Sequence, residues 1–199
     1  MVSPRTARPY HHGNLRAALV EAGFALARSG GPEAVVLRAV SRDAGVSHNA
    51  AYRHFADHDQ LLAAVGQRCM RELADLMRRR MAQVRTPDRV RRAWDRLDAI
   101  GHAYVEFATT EPGWFRTAFA IHEPPDEAPP PPSPDEGDLG PYELLGACLD
   151  ELVHVGALPA ERRPGAEYAA WSTVHGLSML LLEGPLRTVL TADPGEAER

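Results

Sequence analysis

The stretch from Val35 to Phe55 constrains this chain more than any other. A short apolar-periodic run over residues 35–44 ends at Ala44. Gly45 follows, and glycine takes positive φ at little cost, so it can end a helix and turn the chain. Ser47 then offers a side-chain oxygen to the free N–H groups of a second short helix. Counting from Ser47, Ala51 and Phe55 share one helix face at i, i+4 spacing, with Val40 and Val46 placed to pack against them. Two short helices joined by a tight glycine-containing turn make a helix-turn-helix. In such a unit the second helix lies in a DNA major groove, with its first residues at the base edges.

The outer surface of the second helix fits that use. His48, Asn49, Ala50, Tyr52, Arg53 and His54 cover the faces turned away from Phe55. Asn49 matches the bidentate pattern of adenine, and Ala50 is small and apolar enough to meet a thymine methyl. Tyr52, Arg53, His54 and the Ser47 hydroxyl can reach phosphate oxygens. The helix N-terminus adds N–H donors and a partial positive charge. The same pattern also suits an ordinary exposed helical hairpin, and this window alone leaves both readings open.

The wider context favours the first. Gly45-Val46-Ser47, then Tyr52-Arg53-His54-Phe55, then Leu61-Leu62 resembles the TetR family of bacterial repressors. The opening Pro9-Tyr10-His11-His12-Gly13-Asn14-Leu15-Arg16 resembles a subset of that family. Trp171-Ser172-Thr173-Val174-His175-Gly176 resembles the Trp-His-Gly signature for which that subset's C-terminal domain is named. The fuller likeness covers residues 9–66; the C-terminal one is a single short motif. The resemblance implies an all-α homodimer, with a three-helix DNA-binding domain in residues 1–56 and a ligand-sensing, dimerisation bundle in 57–199. Its implied partners are a pseudo-palindromic DNA operator and a small-molecule effector, with no cofactor and no membrane.

Two positions depart from the family pattern. The family usually begins its second helix with a Ser or Thr that caps the helix and touches phosphate, and Val36 stands there instead. Arg38 and Arg42 are then the candidates for phosphate contact. The family often carries a phosphate-binding Lys just after the recognition helix, where this chain has His58. A histidine is only partly charged near neutral pH, so DNA binding is expected to tighten as pH falls toward 6.

Bulk properties allow this reading. With 44% apolar and 25% charged residues, the 199-residue chain is ordinary globular material with ample length for a core. No run of 18 apolar residues and no signal-peptide core is present, so a cytoplasmic location is expected. A net charge of −5 is unusual for a DNA binder. Its distribution resolves this: residues 1–60 carry +2, residues 61–120 carry +4, and residues 121–199 carry −11. A DNA-facing end and an acidic, solvated end are the natural reading. Cys69 and Cys148 lack CxxC spacing and are expected to be reduced thiols.

Beyond the turn unit, periodicity predicts helices over residues 15–29, 57–84, 86–110, 114–119, 140–155 and 165–183, then a short one to about 190. Asn14 is the expected cap of the first, Asp57 with Gln60 that of the fourth, and Thr86-Pro87 the start of the fifth. The fifth has an expected core stripe of Val90, Trp94, Leu97, Gly101, Tyr104 and Ala108. Residues 1–9, with Arg5 and Arg8, read as a basic arm. Residues 123–138 carry seven prolines and read as a mobile loop. The helix over 165–183 is apolar nearly all round, so it must be buried on several faces, one of them against a second subunit.

Trp94, Tyr104, Trp114, Phe115, Phe119, Trp171 and His175 come from three predicted helices and could line one apolar ligand cavity. Most could equally be core, and His175 could be a buried histidine bonded to a neighbour. Asp98, His102 and Glu106 lie at i, i+4, i+8, which suits either a surface ion-paired helix or part of a metal site. Neither a catalytic constellation nor a complete metal-ligand set is visible. The competing functional classes are a small metal-dependent enzyme using His102, His122 or His175, and an all-α interaction protein without a DNA role.

Overall fold

The computed structural model describes residues 12–120 and 139–188. Arg5, Arg8, His11, His122, the proline-rich stretch 123–138 and the end of the expected last helix lie outside the described residues. Among the described residues eight α-helices are formed: α1 His12–Gly30, α2 Leu37–Asp43, α3 His48–Tyr52, α4 His58–Met81, α5 Arg89–Thr110, α6 Pro112–Ala118, α7 Pro141–His154 and α8 Ala166–Leu182. Two 3₁₀ turns, Pro32–Ala34 and Ala160–Arg162, join α1 to α2 and α7 to α8. The described residues contain no strand.

Local signals set most boundaries. Gly31 at φ +65° ends α1 and turns the chain into Pro32. The Asp57 carboxylate accepts from Gln60 N–H at 2.8 Å, while Gln60 Oε1 accepts from Ala56 N–H at 3.1 Å. This reciprocal pair starts α4 much as a capping box does. Two expected starts move. Asn14 falls inside α1, which begins at His12. Asp88, not Thr86, caps α5 by accepting from Arg91 N–H at 2.8 Å. The Thr86 hydroxyl instead donates to Asp95.

Two hydrophobic cores share α4. Leu61, Leu62, Val65 and Cys69 close the first core, with Leu19, Val35, Val40, Ala51 and Phe55. Leu73 and Met77, one and two turns on, belong to the second, with Ile100, Tyr104, Phe107, Leu145 and Leu152. Burial in these cores pushes the Cys69 thiol up to about 12 and Cys148 up to about 11, so both stay protonated and unreactive.

The stripe expected on α5 is rotated. Ala93, Ile100, Ala103, Tyr104, Phe107 and Ala108 are buried, whereas Val90 is exposed and Trp94 is 45% exposed. The small alanines allow α4 and α7 to come close on that face, and the larger Trp94 is left on the flank.

α6 joins the two cores through α1. Trp114 stacks on Phe24 with ring centroids 4.1 Å apart, and its Nε1 donates to Phe24 O at 2.8 Å. Arg28 lies over the Trp114 ring and donates twice to Glu111, at 2.8 and 2.6 Å. Arg68 from α4 covers the other face of this group, 4.1 Å from the Phe24 ring. Contact is close because residue 113 has no side chain: a Cβ there would stand 2.2 Å from Ala27 O and 2.3 Å from Arg28 O. Both obstacles are backbone, so they cannot rotate away. Gly113→Ala is expected to lose about 2 kcal/mol or more of stability, read as a lower midpoint in urea unfolding. An unchanged midpoint would mean that α6 does not bear on α1.

Candidate DNA interface and ligand cavity

The turn between α2 and α3 forms as its residues dictate. Gly45 takes φ +68° with open space around it, so its requirement is the backbone angle and not room. Val46 N–H donates to Ser41 O at 2.9 Å, and the buried Ser41 hydroxyl donates to Leu37 O at 2.6 Å. Ser47 caps α3, its Oγ accepting from Ala50 N–H at 3.2 Å. Ala51 and Phe55 are buried beneath, and Arg16 lies 4.9 Å over the Phe55 ring.

The other side of α3 faces out. His48, Asn49, Tyr52 and Arg53 are exposed, and Ala50 and His54 are half-buried. Tyr52 is 50% exposed and stands edge-on to His48, ring centroids 4.7 Å apart. Arg38 is exposed on α2 beside them. His58 sits at the first turn of α4, 3.2 Å from the Asp59 carboxylate. Among the described residues, Arg38, Arg42 and Arg53 have no carboxylate partner. Several arginines of the body are held differently: Arg68 bonds Glu21 and Glu72, Arg80 bonds Glu106, and Arg163 bonds Asp150 and Glu167. Cations on the α2–α3 face are therefore free to meet an external anion.

A cleft of about 500 Å³ opens between α5 and α8 in the body. Trp94, Tyr104 and Trp171 line it, together with Leu97, Val174 and Leu177. Phe115, Phe119 and His175 are not in its wall. They form a ring cluster behind Tyr104, which shares a 2.8 Å hydrogen bond with His175 Nδ1. Burial pushes the Tyr104 phenol above its ordinary value, so it stays a neutral hydroxyl. Trp114 is elsewhere altogether, in the joint with α1, where the indole N–H finds a backbone acceptor. Leu97, Asp98, Gly101 and Val105 complete the α5 wall in one helical register with Trp94, a spacing that could have identified them.

Asp98, His102 and Glu106 do not converge on a metal. Asp98 Oδ2 is 3.3 Å from His102 Nδ1, while Glu106 is held by Arg80 at 2.9 and 2.6 Å. Among the described residues no three His, Cys, Asp or Glu side chains are grouped to hold a metal ion. No helix among them is long and apolar enough to cross a membrane.

A family model described as "Tetracyclin repressor-like, C-terminal domain" matches residues 97–198, just over half of the chain. A second, described as "Bacterial regulatory proteins, tetR family", matches residues 19–65. The chain belongs to the TetR family. Its all-α architecture, with the TetR helix-turn-helix in α1–α3 and a helical C-terminal domain, agrees with that membership. A protein of unknown function from Rhodococcus sp. RHA1 superposes with TM-score 0.62 at 26% identity, over 93% of this chain and 94% of its own. A proposed TetR family transcription regulator from Shewanella sp. PV-4 has the same fold, with TM-score 0.57, 17% identity and coverage of 87% and 88%. No curated protein matches the chain. As a TetR family member the protein is a helix-turn-helix transcription regulator, a class distinct from enzymes.

The departure at the start of α2 has a measurable consequence. Val36 occupies the N-cap position in extended conformation, φ −106° and ψ 140°, 42% exposed, with no side-chain cap. Val36→Thr places a hydroxyl where first-turn N–H groups lack a partner, and is expected to add about 1 kcal/mol of stability. Ser47→Ala should remove about as much. Thermal unfolding of the two variants checks the opposite signs.

Proposed function

We propose that the protein is a dimeric repressor that binds a pseudo-palindromic operator and is released from it by a small molecule. One observation carries the DNA half of this reading: the exposed face of α3, flanked by cations without internal partners. Asn49 and Ala50 are the base readers. Ser47, His48, Tyr52, Arg53, His54, Arg38 and His58 contact phosphate and fix the register. Residues 1–56 serve as the DNA-binding domain and 57–199 as the sensing and pairing domain, working in the cytoplasm, where the operator is. The Trp171–His175–Gly176 motif supports membership of the Trp-His-Gly subset.

Two copies would present α3 to successive major grooves about 34–36 Å apart. A ligand in the α5–α8 cleft shifts that spacing only through unequal affinity for the two states. Pairing through α8 is supported by its uncovered apolar side chains: Tyr168 is 72% exposed, and Leu177 and Leu180 are exposed as well.

Selection of operators from random duplexes at stated salt, followed by titration, tests the reading. Tyr52→Ala should weaken binding about tenfold on every duplex, since a bond to phosphate is lost. Asn49→Ala should cost about 1–3 kcal/mol at one base pair and relax the preference there. Wild-type binding by both variants would remove α3 as the reader. The pairing claim is checked by sedimentation: the wild type should be a dimer at micromolar concentration and Leu180→Glu a folded monomer with weakened operator binding.

A further inference from the structure

The α5–α8 cleft has a charge pattern unlike its surroundings. Its wall carries the rings of Trp94, Tyr104 and Trp171, and its ionisable groups besides Tyr104 are Asp98 and His102. Arg89, Arg91, Arg92 and Arg96 all sit on α5, yet none lines the cleft. Three are occupied elsewhere: Arg91 donates to Asp95 at 2.9 Å, Arg92 to the carbonyls of Thr86 and Pro87, and Arg96 to Glu151 at 3.0 Å. Among the described residues no guanidinium lines the cleft to meet a carboxylate or phosphate there. The Asp98 carboxylate is 73% exposed at its edge, with His102 at 3.3 Å.

We infer that the cleft selects compact apolar cations over anions of the same size, with Asp98 as the charge partner and the Trp94 ring as a stacking face. The inference rests on the ligand-sensing reading above and gives it a ligand class. Ring faces are negative and attract cations within about 6 Å of the centroid. A cleft of about 500 Å³ is of the size that holds a drug-sized molecule. An apolar anion would lie against the same rings and beside Asp98 with no guanidinium to offset it, the one basic side chain in the wall among the described residues being His102, already 3.3 Å from that carboxylate. Asp98 is well solvated, so its contribution is modest and screened by salt.

The test titrates the full chain with tetraphenylphosphonium, with 8-anilinonaphthalene-1-sulfonate, and with neutral triphenylmethanol, read by tryptophan fluorescence and calorimetry. The phosphonium should bind about fivefold or more tighter than the sulfonate at low salt. Asp98→Asn should weaken phosphonium binding roughly two- to fivefold and leave triphenylmethanol unchanged. Trp94→Leu, at a half-exposed position, should weaken the phosphonium by a similar factor, with circular dichroism confirming the fold. Equal or tighter binding of the sulfonate, or no effect of Asp98→Asn on the cation, overturns the inference. Release of operator DNA is a separate readout. Phosphonium that binds without changing DNA affinity sinks the sensing role and leaves the selectivity; sulfonate that binds tighter and releases DNA does the reverse.

Discussion

The molecule depends on α4 being one rod with two hydrophobic ends. At 24 residues it spans about 36 Å. Leu61, Leu62, Val65 and Cys69 lock its first half into the α1–α3 unit, and Leu73 and Met77 lock its second half into the α5–α8 body. A helix with buried side chains along its length does not bend without breaking contacts at one end. A shift of the body therefore carries the base of the DNA-facing unit with it. The bridge from α6 to α1 makes the coupling stiffer. Gly113 brings two backbones together, and Trp114, Phe24, Arg28, Arg68 and Glu111 fill the space around them. The unit that presents α3 is held at two points, and neither is a flexible linker.

Against that frame, the charge layout follows from which arginines are neutralised. This chain has no lysine, so Arg serves both as internal brace and as exposed cation. In the body, several planar guanidinium groups meet carboxylates in fixed geometry, as Arg80 does with Glu106. On the α2–α3 face, Arg38, Arg42 and Arg53 have no such partner among the described residues. Net charge says little about such a protein, because most of the excess acid lies after residue 120. What a phosphate backbone meets is the local set of unpaired donors.

The sequence was most informative where structure is decided within a few residues. Gly45, Ser47, Asp57 with Gln60, and the missing cap at Val36 each depend on neighbours no more than four positions away, and each sits where local chemistry puts it. Legibility fell where the partner is distant. Trp114 reads as a cavity residue by composition, but its carbonyl acceptor is 90 positions back, on α1. The buried face of α5 departs from its apolar stripe for another reason. Ala93 and Ala103 look neutral in a hydrophobic pattern, yet small residues are what close helix packing needs, so they took the core and left Val90 and Trp94 outside. That rotation widens the aromatic wall of the cleft: had Trp94 been buried, Tyr104 would be the α5 ring left to line it.

α8 joins the two halves of this argument. Its inner side packs on the second core through Trp171, Val174, Met179 and Leu182 and carries the buried Ser178, whose hydroxyl donates to Val174 O at 2.8 Å. Its flank lines the cleft with Thr173, Val174 and Leu177. Its outer side carries Leu180 and a glycine, Gly176, around which there is open space. A mid-helix glycine costs about 0.5–1 kcal/mol relative to alanine, and a side chain would fit there in the single subunit. The cost is balanced if another backbone approaches at that point, as in a close helix pair. Leu177 then stands between cleft and neighbour, on both surfaces at once. On the proposed pairing, a molecule that moves Leu177 would act on the packing of two subunits as well as on its own binding wall, and so would link an occupied cleft to the distance between two α3 helices.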